Sequence, residues 1–186
     1  METQSQPIFY KRYIDDIFAI FHNEQDARRF IDRFNNTLPT ITCSNITIDQ
    51  QEGIFLDLSI FKGDRFSIMK KFDIKVYQKP QNKYLYLPLC SFHPKSVFPG
   101  FIVSELNRYR LCCNNDNDFE EVKANFYDRL LARGYTDGTL KPLFQKHQTR
   151  DYLVKALQNH FANQNQKTKR RPVIFKILHL PEKQKQ

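Results

Sequence analysis

The sequence predicts an α+β fold: a small antiparallel sheet carrying one packed helix, followed by about three helices. Between residues 8 and 77 lie short runs in which apolar and polar residues alternate, the period of half-buried strands. From about residue 96 the apolar positions recur every three to four residues, the period of helices with one buried face. Between these regions, residues 84–95 are interrupted by Pro88 and Pro94 and read as a connection. With 186 residues, 40% of them apolar and 26% charged, the chain can build a core and is too mixed to be collagen-like or wholly disordered. The expected division is 1–83, 84–163 and a basic tail, 164–186.

Residues 8–22 (IFYKRYIDDIFAIFH) read as two short apolar strands around a tight Asp-Asp turn, with aromatic and β-branched residues on both sides. Asn23 suits the N-cap of a following helix, with Asp26 three residues later. Ala27, Phe30, Ile31 and Phe34 then repeat at helical spacing until Asn35-Asn36 and Pro39. Residues 40–48 and 53–61 each alternate as a strand does. Lys62-Gly63-Asp64 turns into Arg65-Phe66-Ser67-Ile68, and residues 72–77 give one more strand, closed by Pro80.

Past the connection, Val97, Phe98, Phe101, Ile102, Leu106 and Tyr109 step along one face of a helix over 96–112. Phe119, Val122, Phe126, Leu130 and Leu131 mark a second over 118–133, with Asp118 as N-cap, Glu120 and Glu121 at its positive end and Gly134 at its C-terminus. A third runs from about 138 to 162 with a break near 148, and Leu143, Leu153, Leu157 and Phe161 face inward. From Asn163 the chain is polar and basic, and is expected to be loosely ordered apart from a strand at 173–178.

Residues 1–139 carry equal numbers of acidic and basic side chains, so the net charge of +9 resides entirely in residues 140–186. Such asymmetry points to a polyanionic partner, nucleic acid foremost, or else to a solvated basic tail. No run of about 18 apolar residues is present, so no helix is expected to span a membrane. The first six residues lack a basic start and an apolar stretch, so no secretory signal is expected. Five glycines leave little material for a Gly-rich nucleotide loop. Cys43, Cys90, Cys112 and Cys113 form no CxxC pair, and Cys90 with His93 has no second pair of matching spacing. Reduced thiols inside an intracellular protein are expected rather than a zinc site.

Tyr13-Ile14-Asp15-Asp16 is the sharpest chemical feature. Two adjacent carboxylates at a hairpin tip repel each other unless a cation neutralises them. Oxygen ligands on a rigid turn suit Mg²⁺, which takes one or two carboxylates together with phosphate oxygens. Polymerases combine such a pair with a third carboxylate to hold two metal ions. The bland reading is a polar turn, where Asp is common.

The motifs taken in order resemble the C-terminal half of the reverse transcriptases of Penelope-like retroelements, over roughly residues 8–181. RYIDDIFAIF (12–21) is similar to their catalytic aromatic-x-Asp-Asp hairpin, and FLDLSIFKG (55–63) to the Phe-Leu-Asp segment that follows it. YQKPQNKYLYL (77–87), SFHPKSVFPGFIVSELNRYRLCC (91–113) and FYDRLLARGY (126–135) are similar to the stretch that forms the helical, helix-turn-helix-like thumb. KRRPVIFKILHLP (169–181) resembles the segment beyond it.

The resemblance implies a partial polymerase palm over 1–83, a thumb over 84–163, and an RNA-directed DNA polymerase (a nucleotidyltransferase) by descent. Asp15 and Asp16 would be the catalytic, metal-binding pair, with Asp15 the direct ligand, for Mg²⁺ or Mn²⁺. Tyr13 would lie beneath the primer terminus, or be a strand aromatic of the core. Phe55, Leu56 and Asp57 would sit near the primer backbone, with Asp57 as a structural turn or strand-end residue the alternative.

Lys95, Arg108, Arg110, Lys123, Arg129 and Arg133 would contact phosphates of a template–primer duplex, or form a solvated helix face. The palm Asp and the fingers that precede the hairpin in such enzymes are absent from these 186 residues. The expectation is therefore that this chain does not polymerise alone, and that any metal site is completed by missing palm elements, for instance from a complementing polymerase half. Lys167-Thr168-Lys169-Arg170-Arg171 resembles a nuclear localisation cluster. The competing reading is a non-enzymatic, helix-turn-helix-like nucleic-acid-binding protein.

Overall fold

A computed structural model describes residues 6–37 and 42–168. The chain divides into two compact units, Met1–His147 and Gln148–Gln186. The fold is α+β, with two small antiparallel sheets and, among the described residues, six helices.

Strands β1 (Phe9–Tyr13) and β2 (Asp16–Ile20) form the first sheet, a hairpin in which Tyr13 pairs with Asp16 and Phe9 with Ile20. The turn is Ile14-Asp15 rather than the expected Asp-Asp, because Asp16 already belongs to the ladder. Helix α1 (Glu24–Thr37) follows with the expected capping: the Asp26 amide donates to Asn23 Oδ1 at 2.9 Å, and Asn23 Nδ2 donates back to the Asp26 carboxylate at 2.9 Å. Phe30 of α1 packs on the hairpin, its ring centroid 6.1 Å from that of Tyr10 and 5.4 Å from that of Phe21.

Strands β3 (Glu52–Phe55), β4 (Leu58–Phe61) and β5 (Asp73–Val76) form the second sheet in that order. Two expectations fail in this region. Residues 53–61 are not one strand but a hairpin turning at Leu56-Asp57. No Gly or Asn announces that turn, and Leu56 enters it at φ +59°, where apolar residues seldom go. Residues 42–48 have strand-like alternation but join no ladder among the described residues, and Ile46 and Ile48 are exposed. Alternation makes a strand only where a neighbouring ladder is available. Helix α2 (Asp64–Met69) occupies the stretch expected to follow the Lys62-Gly63-Asp64 turn, and its six residues are too few to show a period.

Helices α3 (Val97–Cys112), α4 (Asp116–Leu131) and α5 (Asp137–Phe144) hold the core. Ile102, Leu106, Phe126, Leu130 and Leu140 are 0% exposed, whereas Ala27 is the only buried apolar residue described before Phe98. Each fully buried aliphatic or aromatic side chain contributes about 1.5–3 kcal/mol of transfer free energy, so the helical part anchors the unit and the sheets lean on it. Asn115, not Asp118, is the N-cap of α4; Asp118 lies one turn inside and accepts from Asn115 Nδ2 at 3.3 Å. Both residue types cap well, and sequence alone does not choose between them. Gly134 ends α4 as expected, at φ +89°.

The sheet joins the helices through Asn114. Its amide donates to Ile74 O at 2.9 Å, and its Oδ1 accepts from the Ile74 amide at 2.7 Å, which satisfies the outer edge of β5.

Helix α6 (Arg150–Thr168) belongs to the second unit, so the expected break near 148 falls in the 145–149 gap between α5 and α6. Leu157 and Phe161 do not face inward: they are exposed, and among the described residues their unit holds no second element to cover them. Asn163–Thr168 continue α6 rather than being loose. Residues 169–186, with most of the basic cluster and the strand expected at 173–178, lie outside the described residues.

Candidate functional site: the carboxylate hairpin and the nucleic-acid interface

The two motif hairpins share a construction. Each is Aromatic-Aliphatic-Asp, Tyr13-Ile14-Asp15 or Phe55-Leu56-Asp57, with the aliphatic residue at positive φ (Ile14 +52°, Leu56 +59°) and the Asp closing a two-residue turn. Each such residue costs about 1–3 kcal/mol and persists only where its surroundings fix it. At the first turn Arg12 Nε donates to Ile14 O at 2.8 Å and clamps the loop.

Asp15 and Asp16 are exposed, and neither carboxylate has a hydrogen bond or ion pair among the described residues. Tyr13, 56% exposed, is not a core aromatic. Cross-strand pairing sets Tyr13, Asp16, Lys11 and Phe18 on one face of the ribbon. Phe18 carries that face onto β3: its ring centroid is 5.8 Å from that of Phe55, and a Cβ at residue 53 would meet Phe18 Cε2 at 2.7 Å. Gly53 is what permits this close approach.

Phe55 is therefore a packing residue between the hairpins, and Leu56 is partly exposed in its turn. The Asp57 carboxylate forms an ion pair with Arg108 of α3. The Arg108 fork is also held by both Glu105 oxygens, at 2.9 and 2.7 Å. Burial works against ionisation of Glu105, yet hydrogen bonds from Arg108 and Tyr109 outweigh it and hold the carboxyl below its ordinary pKa. The hydroxyls of Tyr109 and Tyr86 lie 2.6 Å apart and share a hydrogen bond in which either can be the donor. Burial, then these hydrogen bonds, keep the Tyr109 hydroxyl protonated. Burial and the Asp57 charge push the Cys112 thiol up to about 11, so it is a poor nucleophile at neutral pH.

A pH dependence follows. A carboxyl whose folded pKa lies below its unfolded value stabilises the fold above the unfolded value, here 4.5, and loses that contribution as pH falls through the folded pKa. Glu105→Gln is expected to cost about 1 kcal/mol at neutral pH, a charge-assisted bond discounted for partial exposure. It should also flatten the acid limb of the stability curve, read from urea midpoints between neutral and acid pH.

Four of the other cations expected on the phosphates are also engaged. Arg110 donates to Asp116 at 2.6 Å and lies 5.0 Å from the Phe119 ring centroid. Lys123 reaches Glu120 at 3.1 Å. Arg129 lies 4.1 Å over Tyr84, and Arg133 Nε donates to Tyr86 O at 2.8 Å. Lys95, just before the N-cap of α3, is exposed and has no carboxylate within ion-pair distance among the described residues. Sequence periodicity put these cations on helices without showing their partners, which lie up to 51 residues away.

Among the described residues no group of three or more His, Cys, Asp or Glu side chains converges as a metal cage, and no helix is long and apolar enough to cross a membrane. Helices α3, α4 and α5, with the 132–136 turn and its Gly134, fall within residues 85–145, which match the animal helix-turn-helix domain family. No curated protein and no solved structure matches the chain.

Proposed function

We propose that this chain is the hairpin-and-thumb portion of an RNA-directed DNA polymerase of a retroelement, gripping a template–primer duplex. The observation that carries it is the hairpin tip: two neighbouring carboxylates, exposed and without partners among the described residues, on a clamped two-residue turn between five-residue strands. That donor set fits a hard divalent cation in part, supplying the carboxylates that Mg²⁺ or Mn²⁺ takes beside phosphate oxygens. Asp15 and Asp16 would hold it, and the ion would activate a primer hydroxyl and neutralise a leaving pyrophosphate. Asp15 sits in the turn and presents its carboxylate outward, while Asp16 is fixed by the ladder. Two carboxylates are part of a two-metal cage, so in this reading the chain contributes nucleic-acid binding, and polymerisation needs palm elements that supply the remaining ligands.

The second reading, a non-enzymatic nucleic-acid-binding protein, is favoured by the helix-turn-helix match over 85–145. Binding of the full chain to an RNA–DNA hybrid and to duplex DNA, followed against salt, separates the two. A polymerase portion binds the hybrid without base preference, and log K falls with log salt by about 0.9 per phosphate contacted on B-DNA. Base-specific binding to duplex DNA supports the second reading. Absence of salt-dependent binding to either contradicts both.

A further inference from the structure

We infer that the connecting segment between the sheet and the helices seats single-stranded nucleic acid, with Lys79, Lys83 and Lys95 on phosphates and Phe92 stacked on a base. This rests on the nucleic-acid-binding reading above and assigns a place to the contact.

Between Asp73 and Glu105 the chain holds no acidic residue and four lysines. The arginines of α3, α4 and the turn after α4 are tied to carboxylates, rings or a carbonyl. Lys79, Lys83 and Lys95 are instead exposed, with no carboxylate in ion-pair range among the described residues. A phosphate chain finds unneutralised cations here, and no acid in the segment repels it.

The segment is also held in place. Besides the Arg133 bond to Tyr86 O, the Leu89 amide donates to Arg133 O at 3.1 Å and Tyr135 donates to Leu87 O at 3.0 Å, pinning 86–89 along the end of α4. In the turn that follows, Ser91 Oγ and His93 Nδ1 lie 2.7 Å apart, and between them Phe92 is 108% exposed. A wholly exposed Phe makes no packing contribution, and its ring faces are open to a planar partner. Duplex bases are occupied by their own stack, whereas unpaired bases stack on aromatic rings whatever their identity. Lone lysines before and after one open ring along the chain, with no acid between them, suit a single strand better than a protein partner.

The test uses the full chain and fluorescence anisotropy with oligodeoxythymidine, oligouridine and a duplex DNA. Replacing Lys79, Lys83 and Lys95 together by Gln is expected to lower the salt slope for the single strands by roughly 2, at about 0.7 per contact. A control with Lys62, Lys70 and Lys71 changed to Gln, an equal loss of charge at exposed positions outside the segment and the hairpin, should retain the slope. Phe92→Ala is expected to weaken single-strand binding roughly five- to a hundred-fold at unchanged salt slope, and to leave duplex binding unaltered. Comparison of the two oligomers says whether DNA or RNA is preferred. Wild-type behaviour of both variants in a chain that still binds nucleic acid overturns the inference and leaves the broader reading standing. Equal losses in the control, or equal weakening on duplex by Phe92→Ala, also overturn it. A wild-type chain that binds no nucleic acid contradicts both.

Discussion

Phe126→Ala is expected to destabilise the Met1–His147 unit by about 3–5 kcal/mol, the upper range for a core aromatic. Phe126 is 0% exposed and is the hub of the aromatic core: its ring centroid lies 4.8 Å from Tyr86, 5.6 Å from Tyr109, 5.7 Å from Phe144 and 6.3 Å from Phe101. Truncation removes the transfer energy of the ring and four ring contacts at once, and the three helices that meet there cannot all collapse into the cavity. Thermal unfolding followed by near-ultraviolet circular dichroism should show a midpoint lower by roughly 10 °C. Phe30→Ala is the control. It joins α1 to a hairpin whose β1 strand is exposed throughout, so its loss should be distinctly smaller.

The second large effect concerns Asp73, 1% exposed at the start of β5. Arg65 Nε lies 2.5 Å from Asp73 Oδ1, and Arg65 also donates to Phe72 O at 2.9 Å. Arg65→Ala strands a buried carboxylate without its cation, at a cost of about 2–4 kcal/mol given that the arginine is itself a third exposed. The pair is asymmetric in this respect, because removing both charges leaves nothing stranded. Arg65→Met combined with Asp73→Leu should therefore recover most of the loss in urea unfolding, whereas additive losses would mean that the site tolerates no apolar pair.

Much of the fold was legible because its local rules agree. Aromatic and β-branched residues flank the polar Asp15-Asp16 break, one residue beyond the observed turn, Asn23 and Asp26 make a reciprocal cap, and Phe119, Val122, Phe126 and Leu130 keep helical spacing; each is a local signal with a local cause. What was not legible depends on distant partners. Residues 42–48 alternate as β3 and β4 do, and only the presence or absence of a neighbouring ladder separates them. The Leu56-Asp57 turn has Asp57 as its one turn-forming residue and no Gly or Asn at the positive-φ position, which Leu56 occupies.

The candidate site divides along the same line. The carboxylates of the hairpin tip were visible as an adjacent pair. By contrast, the commitment of Arg108 to Asp57 and Glu105, and of Arg110 to Asp116, is set by the packing of α3 against the sheet and the turn before α4. The aromatic-aliphatic-Asp build shared by the two hairpins appears only when their backbone angles are compared. The exposure of Phe92 likewise follows from how the chain turns between Ser91 and His93.

Paramagnetic broadening of backbone amide signals by Mn²⁺, titrated into the isotope-labelled full chain and repeated with Asp15→Asn, tests the account most directly. The amides of Tyr13 to Asp16 are expected to broaden first and to be spared in the variant, with Mg²⁺ competing the effect away. Broadening that begins at other acidic positions, or that is unchanged by Asp15→Asn, would contradict a divalent-cation site at the hairpin tip.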